Sequence, residues 1–183
     1  ISPHPLPFEH PAGYQRRLAS ANGLTTLGML HALHGIERLS PRGSDDVWAR
    51  LNAATGLSTK VLASLRWPPP PDVSGAWLSV CGRPIRHRHL DMVRLRWCPA
   101  CLFQDDRLHA QWSLIHMTSC PIHGTRLLEG CTHCGRRSLL LDRWGVWGCS
   151  RCGTDRRHAT PPAANDAEVA LSRALSAAFS GDR

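Results

Sequence analysis

Between Pro11 and Trp67, apolar residues recur at helical spacing. Tyr14, Leu18 and Ala21 share one face of a first predicted helix, and Leu27, Leu30 and Leu33 a face of a second. Asn22-Gly23 separates them and Gly35 stops the second. Ser44 can cap a third helix, with Asp45 and Asp46 at the positive end of its dipole and Val47, Leu51 and Ala54 along one face. Thr55-Gly56-Leu57 makes a turn, and Ser58 caps a short helix carrying Val61, Leu62 and Leu65. This last pair reads as a helix-turn-helix, with Gly56 where a positive φ costs least. Its outward residues Ser58, Thr59, Lys60, Ser64 and Arg66 suit phosphate contacts better than base reading. Packing or protein contact is the other role such a pair can have.

The pattern then changes. Pro68–Pro71 fits neither a helix nor a central strand and reads as a stiff polyproline connector. From Arg83 to His158 the chain is punctuated by Gly and Cys, with short apolar runs that leave no room for a long helix. Beyond Thr160-Pro161-Pro162, Asn165 and Glu168 stand at capping-box spacing ahead of Leu171, Leu175 and Phe179, which predicts a C-terminal helix.

Charge adds direction. The 183 residues carry a net +8, and all the basic side chains except Lys60 are arginines. Residues 1–66 contribute +3, residues 67–160 contribute +6 and residues 161–183 contribute −1. A positive field centred on the middle of the chain makes nucleic acid the natural partner, a solubilising surface being the plainer reading. Arg83, Arg86, Arg88, Arg94 and Arg96 are the candidate phosphate contacts, with Lys60 and Arg66 from the short helix. No apolar run approaches the ~18 residues a bilayer-spanning helix needs. Ile1-Ser2-Pro3-His4-Pro5 lacks the layout of a secretion signal. A cytoplasmic protein with no membrane partner is expected. Ile1 is an unusual first residue, so an initiator Met or an upstream stretch is expected to precede it.

The cysteines are the strongest signal. Seven of the eight fall, with one His, into four pairs with two residues between partners: Cys98/Cys101, Cys120/His123, Cys131/Cys134 and Cys149/Cys152. That spacing lets both donors face one tetrahedral ion. Gly124, Gly135 and Gly153 directly follow three of the pairs. Sequential binding is expected, with Cys98, Cys101, Cys120 and His123 on one ion and Cys131, Cys134, Cys149 and Cys152 on another. The alternating, cross-braced order is less natural, because seven residues separate the middle pairs. Two Zn²⁺ suit these thiolate-rich sets, and one His argues against iron–sulfur centres. Seven bound thiolates and two Zn²⁺ would bring the net charge to about +5. Disulfides would need an oxidising compartment, for which the sequence gives no sign. Cys81 is left over as a small buried hydrophobe, and His109, His116 and His133 lie out of ligand register.

Four protein donors leave no open position on either ion, so the sites read as structural. The H-E-x-x-H signature and the H-x-E that precedes P-C-x-x-C in zinc deaminases are both absent. The asparagines, at 22, 52 and 165, all lie outside the paired-ligand region, which removes the His/Asn set of a metal-framed nuclease. No catalytic residues are expected. The fold class is a mainly α, helix-turn-helix-like N-terminal region, tandem zinc-finger or zinc-ribbon modules with short hairpins, and a C-terminal helix. The expected division is 1–67 helical, 68–82 Pro-rich connector, 83–158 two-zinc domain, and 159–183 linker and helix.

Arg94-Leu95-Arg96-Trp97-Cys98-Pro99-Ala100-Cys101-Leu102 resembles the TniQ family of transposon target-selection proteins. The likeness continues through Gln111-Trp112-Ser113-Leu114, Cys120-Pro121-Ile122-His123-Gly124, Leu127-Leu128 and Cys131-Thr132-His133-Cys134-Gly135, and covers roughly residues 10–155. The ordered combination is more specific than any single pair. The resemblance implies a non-enzymatic adaptor that joins a target-recognising element to a TnsC-like AAA+ ATPase regulating the transposase. That element is attachment-site DNA or a CRISPR effector with its guide RNA. The chain resembles the family's short members, which lack the large C-terminal DNA-binding region of TnsD-like proteins. Tyr14, Arg16 and Arg17 are the expected partner contacts. The alternative is a transcription regulator combining zinc ribbons with a DNA-binding helix-turn-helix.

Overall fold

The computed structural model describes residues 1–36, 39–71, 75–140 and 147–181. Helix α1 (Pro11–Ala21) begins where the ring Nδ1 of His10 accepts the Ala12 amide, with Pro11 in the first turn, where its missing N–H costs nothing. Asn22 caps its end. Of residues 11–19 only Arg17 is not buried. Ala12 and Ala19 pack into one apolar cluster, Tyr14 and Leu18 into another, so α1 runs between two cores. Gly13 is required there, since a Cβ would stand 2.7 Å from that of Leu108.

Helix α2 (Leu27–His34) is capped by the Thr26 hydroxyl and stops at Gly35 with φ 65°. Leu27 and Leu30 are buried, but Leu33 is 65% exposed, so the expected face narrows to two residues. Helix α3 (Asp45–Thr55) starts after Ser44, whose side chain makes no capping bond. It ends at Gly56, with φ 69°. Helix α4 (Thr59–Leu62) is one turn, capped by Ser58 and extended by a 3-10 turn over Ala63–Leu65. The helix-turn-helix-like pair is thus present with a very short second helix. Trp48, Leu51, Leu62 and Leu65 lock it against Tyr14, Leu18 and Leu30.

Trp67 leaves this half through its amide, which donates to Pro41 O at 3.1 Å, and buries its ring in the larger core. Strands β1 (Trp77–Val80) and β2 (Arg83–Arg86) form an antiparallel hairpin with Leu78 opposite Ile85. β1 lies in the stretch expected to be a connector. The larger core gathers Trp67, Trp97, Trp112 and Trp147 with leucines from the whole middle region. Helix α5 (Pro99–Asp105) is the longest helix described between the hairpin and residue 158.

Helix α6 (Asp166–Ser180) carries the reciprocal Asn165–Glu168 capping box. Phe179 is buried and Leu175 is partly buried against the same core, but Leu171 is 49% exposed. Ser172 takes the buried position instead, its hydroxyl 2.9 Å from that of Ser119. The docking face is polar at its centre, which hydrophobic spacing alone could not show.

Candidate metal centres

Three of the paired-ligand segments fold alike. In each, the glycine amide after the pair donates back to the first cysteine's carbonyl at 2.9 Å: Gly124 to Cys120, Gly135 to Cys131, Gly153 to Cys149. The first cysteine's amide in turn donates to the residue after the glycine: Cys120 to Thr125, Cys131 to Arg136, Cys149 to Thr154. Gly124, Gly135 and Gly153 have φ between 63° and 74°, which a side chain would oppose. These turns aim both donors of a pair to one side. Cys98 and Cys101 are held differently, at the N-terminus of α5 with Pro99 between them.

The eight donors gather into two groups in sequential order. In the first, Nδ1 of His123 lies 3.4 Å from the Sγ of Cys98, 3.4 Å from that of Cys101 and 3.5 Å from that of Cys120. Cys101 and Cys120 Sγ are 3.6 Å apart. In the second, Cys131 and Cys152 Sγ are 3.6 Å apart, as are those of Cys134 and Cys149. Thiolates at ~2.3 Å from one tetrahedral centre lie about 3.8 Å from each other. Each group could therefore hold a metal ion, and its donor set fits one.

The groups differ in setting. Cys98, Cys101 and Cys120 are buried in the larger core, whereas Cys134 is half-buried and Cys152 exposed. Two hydroxyls attend the sulfurs: Thr125 Oγ1 lies 3.8 Å from Cys98 Sγ, and Thr154 Oγ1 lies 3.2 Å from Cys152 Sγ. Hydrogen bonding to Thr154 pushes the Cys152 thiol down to about 6, toward the thiolate a metal needs. Both threonines directly follow a knuckle glycine, a signal in the sequence that ligand spacing alone does not reveal. Cys81 stands apart from both groups, half-buried against the core, and burial pushes its thiol up to about 11. His109 is buried against Trp112, and burial lowers it to about 4; His116 and His133 are exposed.

The candidate contact residues scatter. Tyr14 is fully buried, its hydroxyl donating to Pro3 O at 3.0 Å. Arg16 is also fully buried and donates to Ala12 O at 2.9 Å and Leu140 O at 3.1 Å. Arg17 is ion-paired to Glu9 at 2.8 Å. Burial takes Tyr14 and Arg16 out of reach of any partner, because α1 is enclosed on both sides. Arg96 is buried too, donating to Met117 O at 3.0 Å and Leu114 O at 2.7 Å, so it braces the loop before the first centre instead of meeting phosphate. Arg94 pairs with Asp91 and Glu129, and Arg66 with Asp45. Lys60, Arg83, Arg86 and Arg88 are exposed. Arg86 and Arg88 share a concavity with Arg42 and Trp77, a grouping invisible in the sequence because Arg42 lies in a remote loop.

Among the described residues, no helix is long and apolar enough to cross a membrane. No curated protein matches the chain. The model of the TniQ family matches residues 1–127, from the helical region through the first metal group, so the second group lies C-terminal to the match. A match of that extent, over the helices, the Cys98/Cys101 pair and the Cys120/His123 knuckle in order, is decisive: the chain belongs to the TniQ family.

Proposed function

We propose that this chain is a non-enzymatic adaptor in DNA transposition, linking a target-recognition element to a TnsC-like AAA+ regulator. The element is a DNA site or an RNA-guided CRISPR effector. The family match over residues 1–127 carries the reading, since the TniQ family is associated with transposition. Two donor groups with four protein ligands each support it, because closed centres frame surfaces and leave no position for an activated water. Zn²⁺ is the proposed ion in both, with Cys98, Cys101, Cys120 and His123 as one ligand set and Cys131, Cys134, Cys149 and Cys152 as the other. When bound, each ion supplies cross-linking energy, roughly 10–16 kcal/mol per site in small zinc peptides at neutral pH. Lys60, Arg83, Arg86 and Arg88 are proposed as the phosphate contacts that remain accessible.

The test is affinity capture of the co-encoded AAA+ ATPase, with nucleotide and DNA present. Retention of the ATPase by the tagged chain is the expected result. Failure to retain it, together with tight binding to one defined operator, would favour the transcription-regulator reading. The one-turn α4 offers little surface for reading bases, which weighs against that alternative.

A further inference from the structure

The arginines divide sharply by what they touch. Seven of those described, Arg66 and Arg94 among them, are held by carboxylates. Arg16, Arg96 and Arg156 are buried donors to backbone carbonyls. Arg42, Arg86 and Arg88 are exposed and pair with no carboxylate among the described residues. These three converge on one concavity of about 370 Å³, lined also by Trp77, Leu78 and His87 and by no acidic residue among those described.

Its parts are pre-positioned. The guanidinium carbon of Arg86 lies 5.0 Å from the centroid of the Trp77 ring, its cross-strand partner in the hairpin. The loop that presents Arg42 is pinned by the Gly43 amide on Ser40 O at 2.8 Å and by the Trp67 amide on Pro41 O at 3.1 Å. The hairpin is tied to the same stretch by the Ser79 amide on Pro68 O at 2.8 Å. The concavity thus spans the helical half and the hairpin with its cations already in place.

Resting on the nucleic-acid contact of the adaptor reading, we propose that this groove binds an unpaired nucleotide segment of a nucleic-acid strand. Arg42 and Arg88 meet its phosphates, and a base stacks on the Trp77–Arg86 pair. The size is at the small end of ligand pockets, about 300–1,000 Å³, and suits one or two nucleotides. A base inside a duplex is already stacked on both faces and cannot use such a platform. An aromatic ring with an arginine plane and flanking cations is the chemistry that holds single strands without reading their sequence.

The experiment is fluorescence anisotropy of the full chain with a mixed-sequence 12-mer as single-stranded RNA, single-stranded DNA and duplex, over a salt series. Either single strand should bind at least about ten-fold tighter than duplex, and the two arms identify which strand the groove prefers. Arg42→Gln/Arg88→Gln should flatten the log–log salt slope by about 1.4, two contacts at ~0.7 each on a single strand. Arg137→Gln/Arg151→Gln removes the same charge from exposed positions outside the groove and should change affinity less than three-fold. Trp77→Leu should weaken strand binding about ten-fold while metal content and thermal midpoint hold. If Trp77→Leu fails to fold, photocrosslinking of a 4-thiouridine strand to the unaltered chain replaces it, with the adduct expected on Trp77 or a groove neighbour. Equal losses in the two double variants, adducts confined elsewhere, or displacement by polyglutamate with no effect of Trp77→Leu would overturn the proposal; the last result would mark the groove as a site for acidic protein. ATPase capture on the same variants separates the two readings. Capture without strand binding sinks the groove alone, and strand binding without capture sinks the adaptor.

Discussion

Cys101 and Cys120 are 19 positions apart in the chain, yet their sulfurs stand 3.6 Å from each other inside the larger core. Four segments meet there: the start of α5, the Cys120–His123 knuckle, the tryptophan-rich interior and α6 behind Ser119. The first metal group is therefore part of the core, whereas the second sits on it.

That difference predicts unequal consequences of ligand loss. Cys101→Ser should remove one metal and abolish the cooperative thermal transition, because the lost ion closes the core. Cys152→Ser should also remove one metal but leave a cooperative core, shifting its midpoint by only a few degrees. Cys81→Ser should leave metal content unchanged. Metal analysis and calorimetry on the three variants check this. Equal destabilisation by Cys101→Ser and Cys152→Ser would contradict it.

Arg96 should behave as a structural cation. Its guanidinium holds two buried carbonyls, and charged hydrogen bonds of this kind contribute roughly 1.5–3 kcal/mol each, with partial overlap. Arg96→Ala should destabilise the fold by about 2–4 kcal/mol in denaturant melts. The salt slope of nucleic-acid binding should not change.

The buried face of α6 gives a paired test. Phe179→Ala should cost about 3–5 kcal/mol and Leu171→Ser less than about 0.5 kcal/mol, judged by chemical denaturation. The reverse order would mean that α6 docks through the face its hydrophobic spacing suggests.

His10 predicts an acid-side loss of stability. Burial lowers its pKa from 6.5 to about 3, Arg16 adding to the shift, so the folded ring stays neutral. The unfolded chain takes up a proton below pH 6.5 and the folded chain only near pH 3, so the ring's contribution is whole above 6.5 and drains as pH falls. The loss should reach about 2 kcal/mol by pH 5. His10→Asn keeps a capping acceptor for α1 and should flatten this part of the profile between pH 7 and 5.

The metal groups were legible in the sequence because two-residue spacing is a local property, and so was the capping box of α6. Helix positions were legible as well. What escaped was which helix faces are buried. Tyr14 and Arg16 look like one exposed end of an amphipathic helix until α1 is placed between two cores. Ser172 replaces Leu171 on the docking face because Ser119 waits there with a hydroxyl, a partner 53 positions away. Arg42 joins Arg86 only through the fold of the loop before α3.

Native mass spectrometry of the chain, purified without added metal, tests the metal-framed architecture most directly. Two Zn²⁺ per chain are expected, with the ion at the exposed Cys131–Cys152 group lost first to a chelator and the ion at the buried Cys98–His123 group retained until the chain unfolds. A firm stoichiometry of one ion or none, or iron with visible absorbance, would contradict it.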